Sequence, residues 1–323
     1  MNSSKSITCA SAPSGCWLIP LPLLEAALLV AGSSGFVGAR FSIDDAPPLL
    51  VVFWRCVLVT LLLFPFVARQ LRRISPVTLL KNASIGLLAM AGYLAGITQG
   101  IALGVPAGLA ALFADLLPMG LALLAAGVLG QRLTSRIWAG LLIGLAGVAL
   151  GTHGALAWGK APLWIYGLPL LGMLSLAAAT LWQKQLPASQ SMGLLPNLWL
   201  QCCVSGLAFA LIEGAQGSLA PIANTGFVLS VLWTAGLSTM GGYGLYWLCL
   251  RRASATRVAS VLYLSPPITM LWAWAMFDEP LSWQMASGMA VSAVGIWLVV
   301  REEAREARRK QPHGTAAESE TAG

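Results

Sequence analysis

Charged residues are scarce in this sequence: Asp, Glu, Lys and Arg make up only 10% of 323 residues. Soluble domains carry about 25%. A water-soluble fold of this composition would expose apolar surface and aggregate, so a soluble globular class is excluded. Histidine is nearly missing, with His153 and His313 alone. Neither has Cys or carboxylate neighbours at metal-ligand spacing, so no metal is expected. The six cysteines, Cys9, Cys16, Cys56, Cys202, Cys203 and Cys249, include no CxxC pair. At least three lie inside apolar runs and read as small buried hydrophobes. There is no GxxxxGK[ST] phosphate loop, so ATP is not the expected energy source. No basic stripe with interleaved aromatics points to nucleic acid. No paired acids, His cluster or Ser/Lys constellation recurs at one membrane depth, so neither an enzyme nor a cofactor is expected.

Apolar sequence fills the chain instead. Hydrophobic residues reach 57% and mean hydropathy is +0.77. A spanning helix needs about 20 mostly apolar residues. The predicted spans are 18–40, 48–67, 83–103, 105–129, 135–152, 163–183, 195–213, 227–250, 255–277 and 282–300. Turn and charge signals separate them, among them Asp44-Asp45-Ala46-Pro47-Pro48, Arg72-Arg73, Val105-Pro106, Lys160-Ala161-Pro162, Arg251-Arg252 and Asp278-Glu279-Pro280. The first run is too long for a signal-peptide core and is read as a retained helix. Transmembrane strands would alternate polar and apolar residues; these runs are apolar throughout. Helices satisfy their own backbone groups in lipid, and 34 glycines let them pack closely. The fold class is therefore an all-α integral membrane protein of ten transmembrane helices.

Basic residues set the orientation. With the N-terminus in the cytoplasm, nearly all of the 19 Lys and Arg fall on the cytoplasmic side. Only Arg40 and Lys160 fall outside, and Arg55 lies within a helix. Both termini are thus expected in the cytoplasm.

A shift of 148 residues aligns the chain with itself. Gly96 meets Gly244, Pro118 meets Pro266, Gly140 meets Gly288 and Gly147 meets Gly295. Five helices per half is an odd number, so the second half enters the membrane upside down. The organisation read from this is a cytoplasmic segment at 1–17, a first five-helix repeat at 18–152, a second at 163–300 and a cytoplasmic polar tail at 301–323. Two inverted repeats around a central cavity are a hallmark of secondary transporters.

Ten helices, the 5+5 repeat and local motifs together resemble the EamA-type exporters of the drug/metabolite transporter superfamily. The closest stretches are Val105–Gly151 and Ala255–Val300. Phe277-Asp278-Glu279-Pro280-Leu281-Ser282 is similar to the family's G-E-x-L-S-type turn. In the first half, Gly130-Gln131-Arg132-Leu133-Thr134 carries Gln131 in place of the acid. Phe53-Trp54-Arg55 resembles the family's Arg at that place. The resemblance implies a bacterial inner membrane exporter of a small metabolite, such as an amino acid. It also implies a basket whose helices 1, 3, 4, 6, 8 and 9 line the cavity, with 5 and 10 peripheral. Efflux of drug-like or cationic compounds is the alternative, and a non-transporting scaffold or sensor a further one. The implied partners are a small-molecule solute, membrane lipid, and protons or a counter-solute; a homodimer is left open.

Candidate site residues follow from depth. Asp115 lies about ten residues into helix 4, roughly 15 Å deep, where a carboxylate costs at least about 2.5–3.5 kcal/mol unless paired, hydrated or protonated. It is the candidate for binding a substrate amine or carrying a proton. Its repeat mate is Tyr263, and both precede a Pro by three residues. Tyr93 and Gln99 on helix 3, with Tyr243 and Trp247 on helix 8, are further candidates for substrate contact. Glu25 is a candidate gate or coupling group on helix 1. Arg55 is expected to snorkel outward or pair with an acid such as Asp44. Glu279 is expected to cap the helix that follows it.

Overall fold

The computed structural model describes residues 19–130, 133–156, 161–253, 255–279 and 281–310. The expected segment 1–17, the end of the polar tail, Gln131, Arg132, Lys160 and Pro280 lie outside the described residues. Among these residues the chain folds into helices and has no strand. We label them α1 (Leu21–Ser42), α2 (Pro48–Leu71), α3 (Pro76–Gly86, Leu87–Gly92 and Tyr93–Ala102), α4 (Ala107–Asp115 and Leu117–Leu129) and α5 (Ser135–Leu156). Then come α6 (Gly167–Gln185), α7 (Leu194–Gln216), α8 (Thr225–Leu232, Trp233–Gly241 and Gly242–Leu250), α9 (Ala255–Leu262 and Ser265–Phe277) and α10 (Trp283–Lys310).

Proline starts several of them. Pro48 and Pro76 sit in the first turn of α2 and α3, where the missing N–H costs no helical bond. Ser75 caps α3 by accepting a hydrogen bond from the Thr78 amide at 3.2 Å.

Seven runs are long and apolar enough to cross a membrane, and the bent pair in α4 makes an eighth. The expected spans 227–250 and 255–277 do not qualify as unbroken apolar rods. In α8 the winding widens to a π-helix over Trp233–Gly241, a stretch that carries Thr234, Ser238 and Thr239. In α9 the helix stops before Ser265. Pro266 cannot donate to the carbonyl four residues back and its ring crowds it. Pro118 does the same to α4, whose halves bend by 41°. Leu116 (φ −72°, ψ 2°) and Leu264 (φ −85°, ψ 0°) take up nearly the same hinge conformation.

The 148-residue offset runs through these details. The α4 segments at 107–129 reappear as the α9 segments at 255–277. The π-helical stretch Leu87–Gly92 of α3 falls on that of α8. Gly130, which ends α4 with φ 64°, has Asp278 as its mate, which ends α9 with φ 52°. Left-handed backbone is normal for Gly and tolerated by Asp.

α5 and α10 pack against each other in opposite directions. Gly140 faces Val299, and Gly154 faces Gln284. Midway along, the Ser292 hydroxyl donates to the Gly144 carbonyl at 3.0 Å, and these two residues are themselves repeat mates. A Cβ added at Gly288 would come 2.6 Å from the Gly147 carbonyl oxygen. Only glycine permits that approach.

Candidate functional site

A cavity of about 180 Å³ lies between α1, α2, α3 and α8. Small residues of α1 make room for it: a Cβ at Gly35 would sit 2.8 Å from the Ser238 hydroxyl. Arg55, Tyr93, Thr98, Thr234, Ser238 and Tyr243 give the wall its polar groups. Arg55 is 8% exposed. Its Nε donates to the Thr239 hydroxyl at 2.7 Å, and Thr239 in turn donates to the Thr234 carbonyl five residues back at 2.9 Å. That last bond fits the π-winding of α8, a form frequent at functional sites.

Arg55 neither snorkels outward nor meets Asp44. Asp44 is taken by Arg40, one helical turn earlier, at 3.2 Å. Among the described residues no carboxylate forms an ion pair with Arg55. A buried guanidinium without a counter-charge is costly.

Asp115 and Tyr263 line a second, larger cavity of about 850 Å³ between α4, α9 and α10. Both stand at the helix breaks described above. Asp115 lines the second cavity and Tyr93 the first. Helix α10, expected to be peripheral, lines this second cavity, and α2 lines the first through Arg55. Gln99 and Trp247 line neither. Trp247 is 40% exposed and lies under the Arg251 guanidinium, 4.9 Å from its ring centre.

Two ion pairs hold opposite ends of α1. Glu25, at its start, accepts two hydrogen bonds from Arg257 of α9, at 2.6 and 3.0 Å. Arg40, at its end, lies 3.6 Å from Glu279 just past α9 and stacks on Phe277 at 4.9 Å. Glu279, expected to cap α10, reaches the start of α4. Its carboxylate accepts the Ala107 amide at the start of α4 at 3.1 Å, while Ser282 accepts the Gln284 amide beside α10 at 3.2 Å.

Thr239 and Arg257 were not singled out by sequence reasoning. Arg55 itself carried the needed signal: no acid stands three or four residues away in its own helix, so no local partner was available.

Broken helices, paired π-helical stretches and polar groups around an internal cavity define a polytopic membrane protein of the transporter class. The comparisons with known proteins agree. The EamA-like transporter family matches residues 20–152 and 163–301, and the chain belongs to that family. It is 28% identical over 286 residues to a "Probable amino-acid metabolite efflux pump" of Salmonella typhimurium, covering 84% of this chain and 92% of that one. It is 28% identical over 284 residues to the "Uncharacterized inner membrane transporter YedA" of Escherichia coli, covering 86% and 90%. A solved crystal structure at 18% identity covers 88% of this chain and 98% of its own, with a TM-score of 0.55. That likeness bears on the fold alone.

Proposed function

We propose that the protein exports a small metabolite with a carboxylate group, amino acids foremost, across a bacterial inner membrane. The observation that carries this reading is Arg55: a buried cation, without a carboxylate partner, facing the α1–α2–α3–α8 cavity between Tyr93 and Tyr243. A substrate carboxylate completes its charge, and the tyrosine rings cover the substrate's apolar part. The cavity's 180 Å³ is below the roughly 300–1,000 Å³ that holds drug-sized ligands. Its sign is wrong for a cation. Both points disfavour efflux of cationic drugs. The relative named above as an amino-acid metabolite efflux pump supports the same substrate class.

In this reading ten spans form two inverted halves, and the antiparallel contact of α5 with α10 supports that arrangement. Both termini face the cytoplasm, on the strength of the basic residues. Asp115 carries the coupling proton at the α4 hinge. Glu25–Arg257 closes the cytoplasmic end of the α1–α9 seam, and Arg40–Glu279 closes the outer end.

Uptake of radiolabelled amino acids into inside-out vesicles tests it. Wild-type protein should accumulate at least one amino acid when a proton gradient is imposed, and Asp115→Asn should abolish accumulation at unchanged membrane expression. Normal uptake in Asp115→Asn removes that residue from the mechanism. No uptake of any amino acid by folded wild-type protein removes the substrate class.

A further inference from the structure

The 850 Å³ cavity beside α10 is larger than the solute cavity and differs from it in character. Its inner end holds Asp115 and Tyr263. From there it runs along α10 past Ala293 and Trp297 to Arg301 and Arg305. The wall between these ends is almost wholly apolar. From Met289 to Val300 it follows eleven helical steps, about 17 Å by helix rise, close to the ~15 Å depth of one leaflet's hydrocarbon. Ala286, Ala290 and Ala293, each a small residue, leave the space open.

The far end is basic. Arg301 stacks on Trp297, its guanidinium 4.7 Å above the ring centre, and has no ion-pair partner among the described residues. Arg305 reaches Glu302 at 3.3 Å and stays half exposed. A narrow apolar channel one leaflet deep, ending in two guanidinium groups beside an interfacial Trp, matches an anionic amphiphile with one long chain. A free solute of amino-acid size would fill only a fraction of it.

We propose that this groove is a binding site for an anionic phospholipid. One acyl chain lies along α10 and the phosphate rests on Arg301 and Arg305. In the orientation proposed above, the lipid belongs to the cytoplasmic leaflet. An occupant there packs directly against the α9 hinge at Tyr263–Leu264, so lipid composition becomes an input to the movement of α9.

Native mass spectrometry of the detergent-purified, delipidated chain tests this without measuring transport, so its outcome is independent of the export reading. The probes are palmitoyl-oleoyl phosphatidylglycerol and the phosphatidylcholine with the same chains. Wild type should bind the glycerol lipid at least fivefold more than the choline lipid. Arg301→Gln/Arg305→Gln should reduce the two to the same level. Ala293→Phe, which fills the channel, should lower binding of both lipids with the melting temperature held within a few degrees. Should Ala293→Phe fail to fold, Ala290→Leu takes its place. Equal binding of the two lipids by wild type overturns the proposal. So does undiminished glycerol-lipid binding in the double Arg variant, or in a folded groove-filling variant. A dimer that forms in place of lipid binding also overturns it, assigning the groove to a second copy of the chain.

Discussion

At the residue scale the decisive group is Arg55. Among the described residues its guanidinium hydrogen-bonds Thr239 alone, and in the proposed reading its remaining donors meet the substrate carboxylate. Losing a hydrogen bond to a charged group costs about 1.5–3 kcal/mol, or roughly tenfold to hundredfold in affinity. Arg55→Gln is therefore expected to weaken amino-acid binding by that factor, read as the shift in half-saturating concentration in vesicle uptake. Arg55→Lys keeps the charge but not the planar fork and should fall between. Thr239→Val removes the orienting acceptor while leaving the charge, so its loss should be smaller than that of Arg55→Gln. Equal affinity in Arg55→Gln and wild type would falsify the carboxylate reading. Sequence alone placed Arg55 in a helix and left its direction open, because depth along a helix does not say which face meets a cavity. That information resides in how α8 is wound. Its π-helical stretch packs Trp233, Thr234 and Ser238 against Gly35 and Gly38 of α1, contacts that no residue spacing within α8 reveals.

At the scale of elements, the repeat was legible wherever backbone rules alone dictate the outcome. Pro118 and Pro266 break α4 and α9 at matching places, and Gly130 and Asp278 end them in the same left-handed conformation. Substituting Asp278→Gly should then be tolerated or mildly stabilising, whereas a β-branched residue is strained there. Tertiary packing was not legible, because matched residues meet different neighbours. Gly96 and Gly244 are repeat mates, yet a Cβ at Gly96 would lie 2.5 Å from the Leu168 carbonyl and 2.7 Å from the Gly172 Cα. At Gly244 it would meet nothing within 4 Å. Gly96→Val forces backbone apart between α3 and α6. It should lower the melting temperature in detergent markedly, with a cost on the order of the 1–3 kcal/mol of overpacking or more. Gly244→Val should leave it nearly unchanged. A similar drop in both variants would show that the two halves pack alike, against the asymmetry seen here.

That asymmetry extends to the whole molecule. On one side α1 is tied to α9 at both ends by charge, Glu25 to Arg257 and Arg40 to Glu279. The repeat mates of Glu25 and Arg257 are Met173 and Leu109, both apolar and buried in one core cluster. The seam of α6 with α4 is thus closed by apolar contact, which loosens only by exposing cavity or lipid. The seam of α1 with α9 is closed by ion pairs that exchange for water at little cost, since Arg257 is half in solvent already. Movement should therefore concentrate at α1 and α9, with the α4–α6 side as the fixed frame. A cysteine at Gly32, which lines the solute cavity between the two ion pairs, reports on this. In the orientation proposed above and a background free of native cysteines, Gly32→Cys should react with a membrane-impermeant maleimide severalfold faster from the cytoplasmic side once Glu25→Gln is added. Arg40→Gln should speed the reaction from the outer side instead. Exchanging the charges, Glu25→Arg with Arg257→Glu, should return the cytoplasmic rate toward that of the parent, because the attraction survives with its direction reversed. A rate indifferent to Glu25→Gln would mean that α1 is held by its glycine contacts with α8, and that opening occurs along another seam.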